Sequence, residues 1–348
     1  MEKRWQILPP TQVPEDFQLA IGGHPLVAQT LYRRGFQTLE AAQAFLDPES
    51  YQPTPADALP DMDIAITLLI KAIEEGKRIL VWGDFDVDGQ TSTTTLVEGL
   101  RELGGDVIYH IPIRAEESHG ITKEVLCSTM QKGFDLLLTC DTGITELENI
   151  QLVREAGIPV IVTDHHSLGQ SLPKANAVIN PQRLPPDHPL RTLPGVGVAY
   201  KLMEGLFAAM GSDFREGHFL ELAALGIVAD VANLQGDTRY LLQKGLVSLR
   251  QTERVGLQLL YQNAGLNPYH IDEDHIGFQI APRMNAVGRL GDANPMVEFL
   301  TTRDEGRARV LATQIEATNA QRRFYTRQVE KAAQSMLDAS VDDRHAPA

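Results

Sequence analysis

The chain of 348 residues predicts an α/β fold, a parallel sheet flanked by helices. A small helical segment precedes it; a helical subdomain and a long C-terminal connecting helix follow. Three observations predict this. Helix and strand patterns alternate from Met62 onward, as in repeated βα units. Leu136-Leu137-Leu138 and Val160-Ile161-Val162 belong to apolar runs without polar alternation, as central strands buried on both faces require. Acids and histidines cluster where those runs stop, the end of an open parallel sheet at which ligands bind.

In chain order, residues 14–50 read as a helical preface, with His24-Pro25-Leu26 and Phe45-Leu46-Asp47-Pro48 marking its turns, and a Pro-rich linker runs from Tyr51 to Pro60. A helix to Glu75 is followed by strand Arg78 to Gly83, helix Thr91 to Leu103, strand Val107 to Ile113 and helix Lys123 to Lys132. Strand Phe134 to Cys140, helix Glu146 to Ala156 and strand Pro159 to Thr163 complete the alternation. Beyond Asn180-Pro181 a turn-rich segment to Pro194 gives way to helices Val198 to Met210, Phe219 to Val231 and Asp237 to Arg250, continuing to about Leu266. Thr302-Arg303-Asp304-Glu305 fits a capping box that opens one long helix to about Leu337. The expected domains are 1–60, 61–265 (its α/β core ending near 182) and 266–348.

A hydrophobic content of 43% suits a globular protein of two or so domains. A net charge of -15 disfavours unspecific adhesion to phosphate backbones, so any nucleic-acid contact must be local. Cys127 and Cys140 lack CxxC spacing and read as buried hydrophobes in a reducing compartment. Met1 to Trp5 is polar, and no run of about 18 apolar residues occurs. A cytoplasmic protein is expected.

The chemistry lies in four clusters. In Gly83-Asp84-Phe85-Asp86-Val87-Asp88-Gly89, alternate acids beyond a buried strand would repel one another unless cations stood between them. A solvated acidic turn is the bland alternative. An EF-hand loop is excluded, because its twelfth place holds Thr95 and a strand rather than a helix leads in. Asp141, ahead of Thr142-Gly143, can bridge two metals or serve as a turn acid, with Thr145 and Glu148 capping the next helix. His165 and His166 follow Asp164; adjacent imidazoles diverge, so one can ligate while the other faces substrate. Asp230 is a lone acid on an apolar helix and needs a partner.

These motifs, GDFDVDG, DTG, TDHH and VAD, resemble those of the DHH phosphoesterases, a superfamily that also includes pyrophosphatases and nano-RNases. The preface, Pro194-Gly195-Val196-Gly197-Val198 and Pro282-Arg283-Met284-Asn285-Ala286-Val287-Gly288-Arg289-Leu290-Gly291-Asp292-Ala293 narrow the resemblance to the RecJ single-stranded-DNA exonucleases, over nearly the whole chain. The resemblance implies two Mn²⁺ ions, with Mg²⁺ as the alternative. Asp86 and Asp141, with Asp84 as further ligand or catalytic group, would hold one; Asp88, Asp141, His165 and Asp230 would hold the other. His166 would polarise the phosphate. It implies a monomer that removes 5′-mononucleotides from 5′-phosphorylated single-stranded DNA in repair and recombination, with a single-strand-binding protein and a recombination helicase as partners. Members usually continue into a DHH-associated domain and an OB-fold.

Arg283 and Arg289, in an expected Gly-containing turn, and Asn285 are candidate DNA-binding residues. So are Arg322 and Arg323, a basic patch interleaved with Phe324 and Tyr325 that could stack bases. Hydrolysis of a small substrate such as pyrophosphate, an oligoribonucleotide or phosphoadenosine phosphate, and a non-catalytic repair scaffold, are the competing readings.

Overall fold

Among the described residues the four expected apolar runs and one further segment form a sheet of five short strands. In the computed structural model, which describes residue 9, residues 11–117 and residues 120–342, helices α1 (Glu15–Ile21), α2 (Pro25–Arg33) and α3 (Leu39–Leu46) come first. They enclose a small core of Phe17, Ala28, Leu31 and Ala42. The polar opening Met1 to Trp5 lies outside the described residues. Then follow α4 (Met62–Glu74), β1 (Arg78–Trp82), α5 (Val87–Glu102), β2 (Asp106–His110), α6 (Arg114–Glu117) and α7 (Lys123–Lys132). β3 (Leu136–Cys140), α8 (Leu147–Glu155), β4 (Val160–Thr163) and β5 (Ala177–Ile179) close the α/β part.

All pairings are parallel, in the order β2-β1-β3-β4-β5. Alternate side chains feed opposite layers: Ile79, Val81, Leu136, Leu138 and Ile161 face the main core, whereas Leu80, Trp82, Leu137, Val160 and Val162 face the second. This is why the strands read as unbroken apolar runs. Because β2 lies on one side of β1 and β3 on the other, successive crossovers diverge between β1 and β3. A crevice opens there beyond the strand ends.

The helical part comprises α9 (Gly195–Ala209), α10 (Glu216–Ala229), α11 (Gly236–Leu249), α12 (Val255–Ala264), α13 (Glu273–His275), a π-helical turn Ile276–Ile280, α14 (Ala281–Leu290), α15 (Asn294–Thr301) and α16 (Glu305–Asp342). The main core runs from Ala56 to Ile315, across the expected boundary at 265. The linker is pinned to α11, where Asp237 accepts hydrogen bonds from Tyr51 and Thr54.

Five local expectations are corrected. α5 starts at Val87 rather than Thr91, because Asp86 caps it by accepting from the Gly89 amide at 3.0 Å. β5 was not anticipated; three residues are too few for a period to register. The segment from Ala281 is a helix rather than a Gly-containing turn, continuing from the π-helical turn Ile276–Ile280, with Pro282 at the junction. Among the described residues no side-chain cap opens α8, which begins at Leu147 beyond Thr145. α16 is capped by Asp304, which accepts from the Arg307 amide, while the Thr302 hydroxyl accepts from the Asp304 amide.

Candidate metal and active site

Each acid is placed by the end of an element. Asp84 follows β1, where Gly83 admits the Thr93 hydroxyl, to which a Cβ would approach within 1.9 Å. Asp88 sits in the first turn of α5, buried, and accepts the Gly195 and Val196 amides at 2.7 and 2.8 Å from the N-terminus of α9. Negative charge belongs at such an amide-rich end. Asp141 leaves β3 with φ 58°, a left-handed conformation uncommon for a side chain other than glycine. Asp230 stands at the C-terminal end of α10.

Gly89 and Gly195 let these segments converge. Gly89 lies inside α5, and a Cβ on it would meet the Asp84 carbonyl at 2.3 Å; one on Gly195 would meet the Asp141 carboxylate at 2.7 Å. The Pro194-Gly195-Val196-Gly197 motif is therefore a close approach, with its amides aimed at Asp88.

At this site the candidate ligands fall into three overlapping groups whose ligand atoms lie within 4.8 Å of one another: Asp84, Asp86 and Asp141; Asp88, His165 and Asp230; and Asp141, His165 and His166. Asp141 joins them, its Oδ1 being 3.0 Å from His165 Nε2; His165 Nε2 is also 3.7 Å from Asp88, and its Nδ1 is 4.0 Å from Asp230. The contact of Asp141 Oδ1 with His165 lacks hydrogen-bond alignment. Asp84 Oδ1 and Asp141 Oδ1 are both buried without a hydrogen-bond partner among the described residues. Orphaned carboxylate oxygens facing an unaligned imidazole are the donor set of a divalent cation, so these residues fit the metals expected of them.

The electrostatics agree. Burial and the neighbouring Asp86 push the Asp84 carboxyl up to about 7, and burial with Asp86 raises Asp230 to about 6. Asp88 and Asp141 are raised well above the ordinary carboxylate value, by burial first and then by the surrounding acids. His165 is lowered to about 4 by burial and by His166, which leaves its imidazole neutral and able to ligate.

The His166 ring does not diverge from that of His165 but packs against it, centroids 4.4 Å apart and tilted by 45°. Its Nδ1 donates to Asp164 Oδ1 at 2.7 Å, and that hydrogen bond raises it to about 9. Asp164 also accepts the His165, His166 and Ile144 amides. Burial raises the Asp164 carboxyl, but these hydrogen bonds outweigh it and hold it below the ordinary value. Asn180 Nδ2 donates to the His166 carbonyl at 3.1 Å. Sequence reasoning assigned no role to Asp164 or Asn180. Asn180 follows β5, the unanticipated strand; Asp164 stood inside a quoted motif, and its position directly after an apolar run was the available signal. The cleft is further lined by Gly120, Thr142, Thr145 and Glu146.

The expected DNA-binding residues divide. Arg283 Nε donates to Glu316 on α16 at 2.7 Å and its Nη1 to the Gln279 carbonyl. Arg322 is lowered by burial first and then by the charges of Arg289, Arg323 and Arg283, of which Arg289 and Arg323 are exposed, so the four form one positive patch on α14 and α16. Within the same stripe of α16, Arg322 Nε and the buried Asn319 Oδ1 have no hydrogen-bond partner among the described residues. Asn285 stands apart from this cluster: its Oδ1 accepts from the Val87 amide at 3.2 Å. Arg114, not anticipated, lies 5.0 Å from the centre of the Phe85 ring.

A parallel sheet with acids and a His-His pair at the β1/β3 switch point is the architecture of the DHH domain, and a family model described as "DHH family, N-terminal domain" matches residues 78–227. The chain is 35% identical over 347 residues to the single-stranded-DNA-specific exonuclease RecJ of Bacillus subtilis, covering 97% of this chain and 42% of that protein. Exonuclease RecJ bound to manganese superposes with a TM-score of 0.73 at 37% identity, covering 82% of this chain and 71% of that one. RecJ of Thermus thermophilus in complex with Mn²⁺ gives 0.78 at 33% identity, covering 94% and 47%; that protein is also known in complex with Mg²⁺. The chain belongs to the RecJ family of DHH-domain proteins. It spans about half the length of the curated relatives it matches. No helix among the described residues is long and apolar enough to cross a membrane.

Proposed function

We propose that this chain is the catalytic core of a divalent-metal phosphodiesterase that shortens single-stranded DNA from its 5′ end and releases mononucleotides. The observation that carries the reading is Asp141, whose buried, unpaired oxygen stands between two groups of ligands. Asp84, Asp86 and Asp141 would hold one cation, and Asp88, Asp141, His165 and Asp230 the other. We favour Mn²⁺, since imidazole is among the donors, with Mg²⁺ as the alternative. When bound, two such ions lower the pKa of water and neutralise the charge that develops on the phosphate.

The chain's own groups do the rest. Asp84, whose carboxyl burial and Asp86 push up to about 7 in the metal-free chain, would either complete the first cation's ligands or, left uncoordinated, accept a proton from the attacking water. His166, held by Asp164 through Nδ1, keeps Nε2 for a phosphate oxygen. Arg283, Arg289, Arg322 and Arg323 would hold the strand backbone, with the half-exposed Phe324 and Tyr325 as stacking faces. The single-strand-specific activity belongs to the relatives by name; its extension to this chain is supported by the 35% identity over 347 residues and by the cluster of acids and histidines at the sheet end. The same reading implies a monomer in DNA repair and recombination, working with a single-strand-binding protein and a recombination helicase.

The test is release of nucleotides from 5′-phosphorylated single-stranded DNA with Mn²⁺, with blunt duplex, pyrophosphate and a dinucleotide as comparators. Mn²⁺-dependent mononucleotides from the single strand only, lost in Asp141→Ala, support the reading. Hydrolysis of pyrophosphate or dinucleotide alone replaces it with a small-substrate phosphoesterase; no turnover on any substrate overturns it for this chain.

A further inference from the structure

We infer that Asn285 is a positioning residue: through the Val87 amide it fixes the acid-bearing turn Asp84 to Asp88 in its metal-holding shape, rather than touching the DNA strand. The inference rests on the metal reading of that turn.

The turn is held by three contacts from one side, all involving α14. Asn285 Oδ1 accepts the Val87 amide at 3.2 Å, satisfying the first amide of α5 from outside the helix. Gln90 Nε2 donates to the Phe85 carbonyl at 2.7 Å and to the Met284 carbonyl at 3.3 Å, stitching the turn to the same helix. Gly288, one turn beyond Met284, lies so close that a Cβ there would stand 2.0 Å from the Phe85 carbonyl oxygen. α14 therefore packs backbone to backbone against Phe85, and Asn285 supplies the side-chain hydrogen bond from α14 to the turn.

Such a brace has a force to resist. The ligand atoms of Asp84, Asp86 and Asp141 lie within 4.8 Å of one another, and like charges at that range repel. Without a cation the relaxed answer is for the turn to splay, moving ligand oxygens apart. The Asp86 carboxylate is tied within α5, through the Gly89 amide. The external tie on the next residue, Val87, therefore decides where Asp86 and Asp88 stand relative to one another. Ligand atoms must be held within a few tenths of an ångström, and partners that orient metal ligands typically govern about 10–100-fold in affinity.

The test is Mn²⁺ titration of the complete chain without substrate, by calorimetry, for wild type, Asn285→Ala and Gln90→Met, with circular dichroism confirming the fold. The expected result is a Kd for Mn²⁺ weaker by about tenfold or more in both variants. On single-stranded DNA at saturating Mn²⁺, Asn285→Ala should lower kcat and leave KM unchanged; bis(p-nitrophenyl) phosphate, too small to reach the arginine cluster, should show the same loss. An unchanged Mn²⁺ affinity with KM raised on DNA alone would overturn the inference and make Asn285 a strand contact. If wild type itself takes up no Mn²⁺, the metal reading fails and the positioning role with it.

Discussion

At the scale of single residues, the site consists of charges that cannot be comfortable together until cations join them. In the metal-free chain Asp84 keeps its proton up to about 7 and Asp230 to about 6, against 3.8 for an ordinary carboxyl, and Asp88 and Asp141 shift the same way. These carboxyls thus bind more protons in the folded chain than in the unfolded one as pH rises from 3.8 toward their folded values, a difference that outweighs the opposite shift of His165, lowered to about 4. The stabilisation from these raised values is complete at lower pH and is lost as pH rises through about 6 to 7. The melting temperature of chelator-treated protein should therefore fall between pH 5 and pH 8, and Mn²⁺ should raise it more at pH 8; a melting curve indifferent to both would contradict this. Asp164 has a different task. Asp164→Asn should cut kcat about 10²-fold while changing Mn²⁺ affinity far less, because it holds His166 and no cation. The acids were legible in the sequence because they follow apolar runs at short spacing. The supports were not, because Asn180 and Asn285 act on backbone groups brought to them by the fold.

At the scale of elements, the strands and their order determine where the acids meet. The β1/β3 divergence puts Asp84 and Asp141 side by side although they are far apart in the chain, and α9 delivers the Gly195 and Val196 amides to Asp88. Gly195→Ala pushes a Cβ against the Asp141 carboxylate. Mn²⁺ affinity should drop about tenfold or more, with a loss of about 1–3 kcal/mol in stability measured by urea unfolding; an unaltered affinity would show that the approach of α9 is incidental. Helix–strand alternation was readable from residue types alone, since continuous apolar runs leave few choices. What escaped was local: α5 begins four residues early because the Asp86 cap and burial outweigh the poor helix propensity of Val87, Asp88 and Gly89. α14 replaces an expected turn because packing against Phe85 tolerates its glycine.

At the scale of the whole molecule, a chain of net charge -15 carries a local patch of arginines on α14 and α16, and the charge that matters for a phosphate backbone is that local one. Arg322→Ala should weaken binding of single-stranded DNA and reduce the slope of log affinity against log salt by about 0.7, as anisotropy titrations would show, while hydrolysis of bis(p-nitrophenyl) phosphate stays unchanged. An unchanged slope would remove Arg322 from the strand path. The central claim is that one shared carboxylate, Asp141, joins two cations at the switch point of the sheet. Its most direct test is the stoichiometry and magnetic coupling of Mn²⁺ in the intact chain, measured by equilibrium binding with electron paramagnetic resonance. Two ions per chain with a spin-coupled spectrum, reduced to uncoupled or absent ions in Asp141→Ala, is the predicted result. A single ion, or two uncoupled ions insensitive to Asp141→Ala, would contradict it.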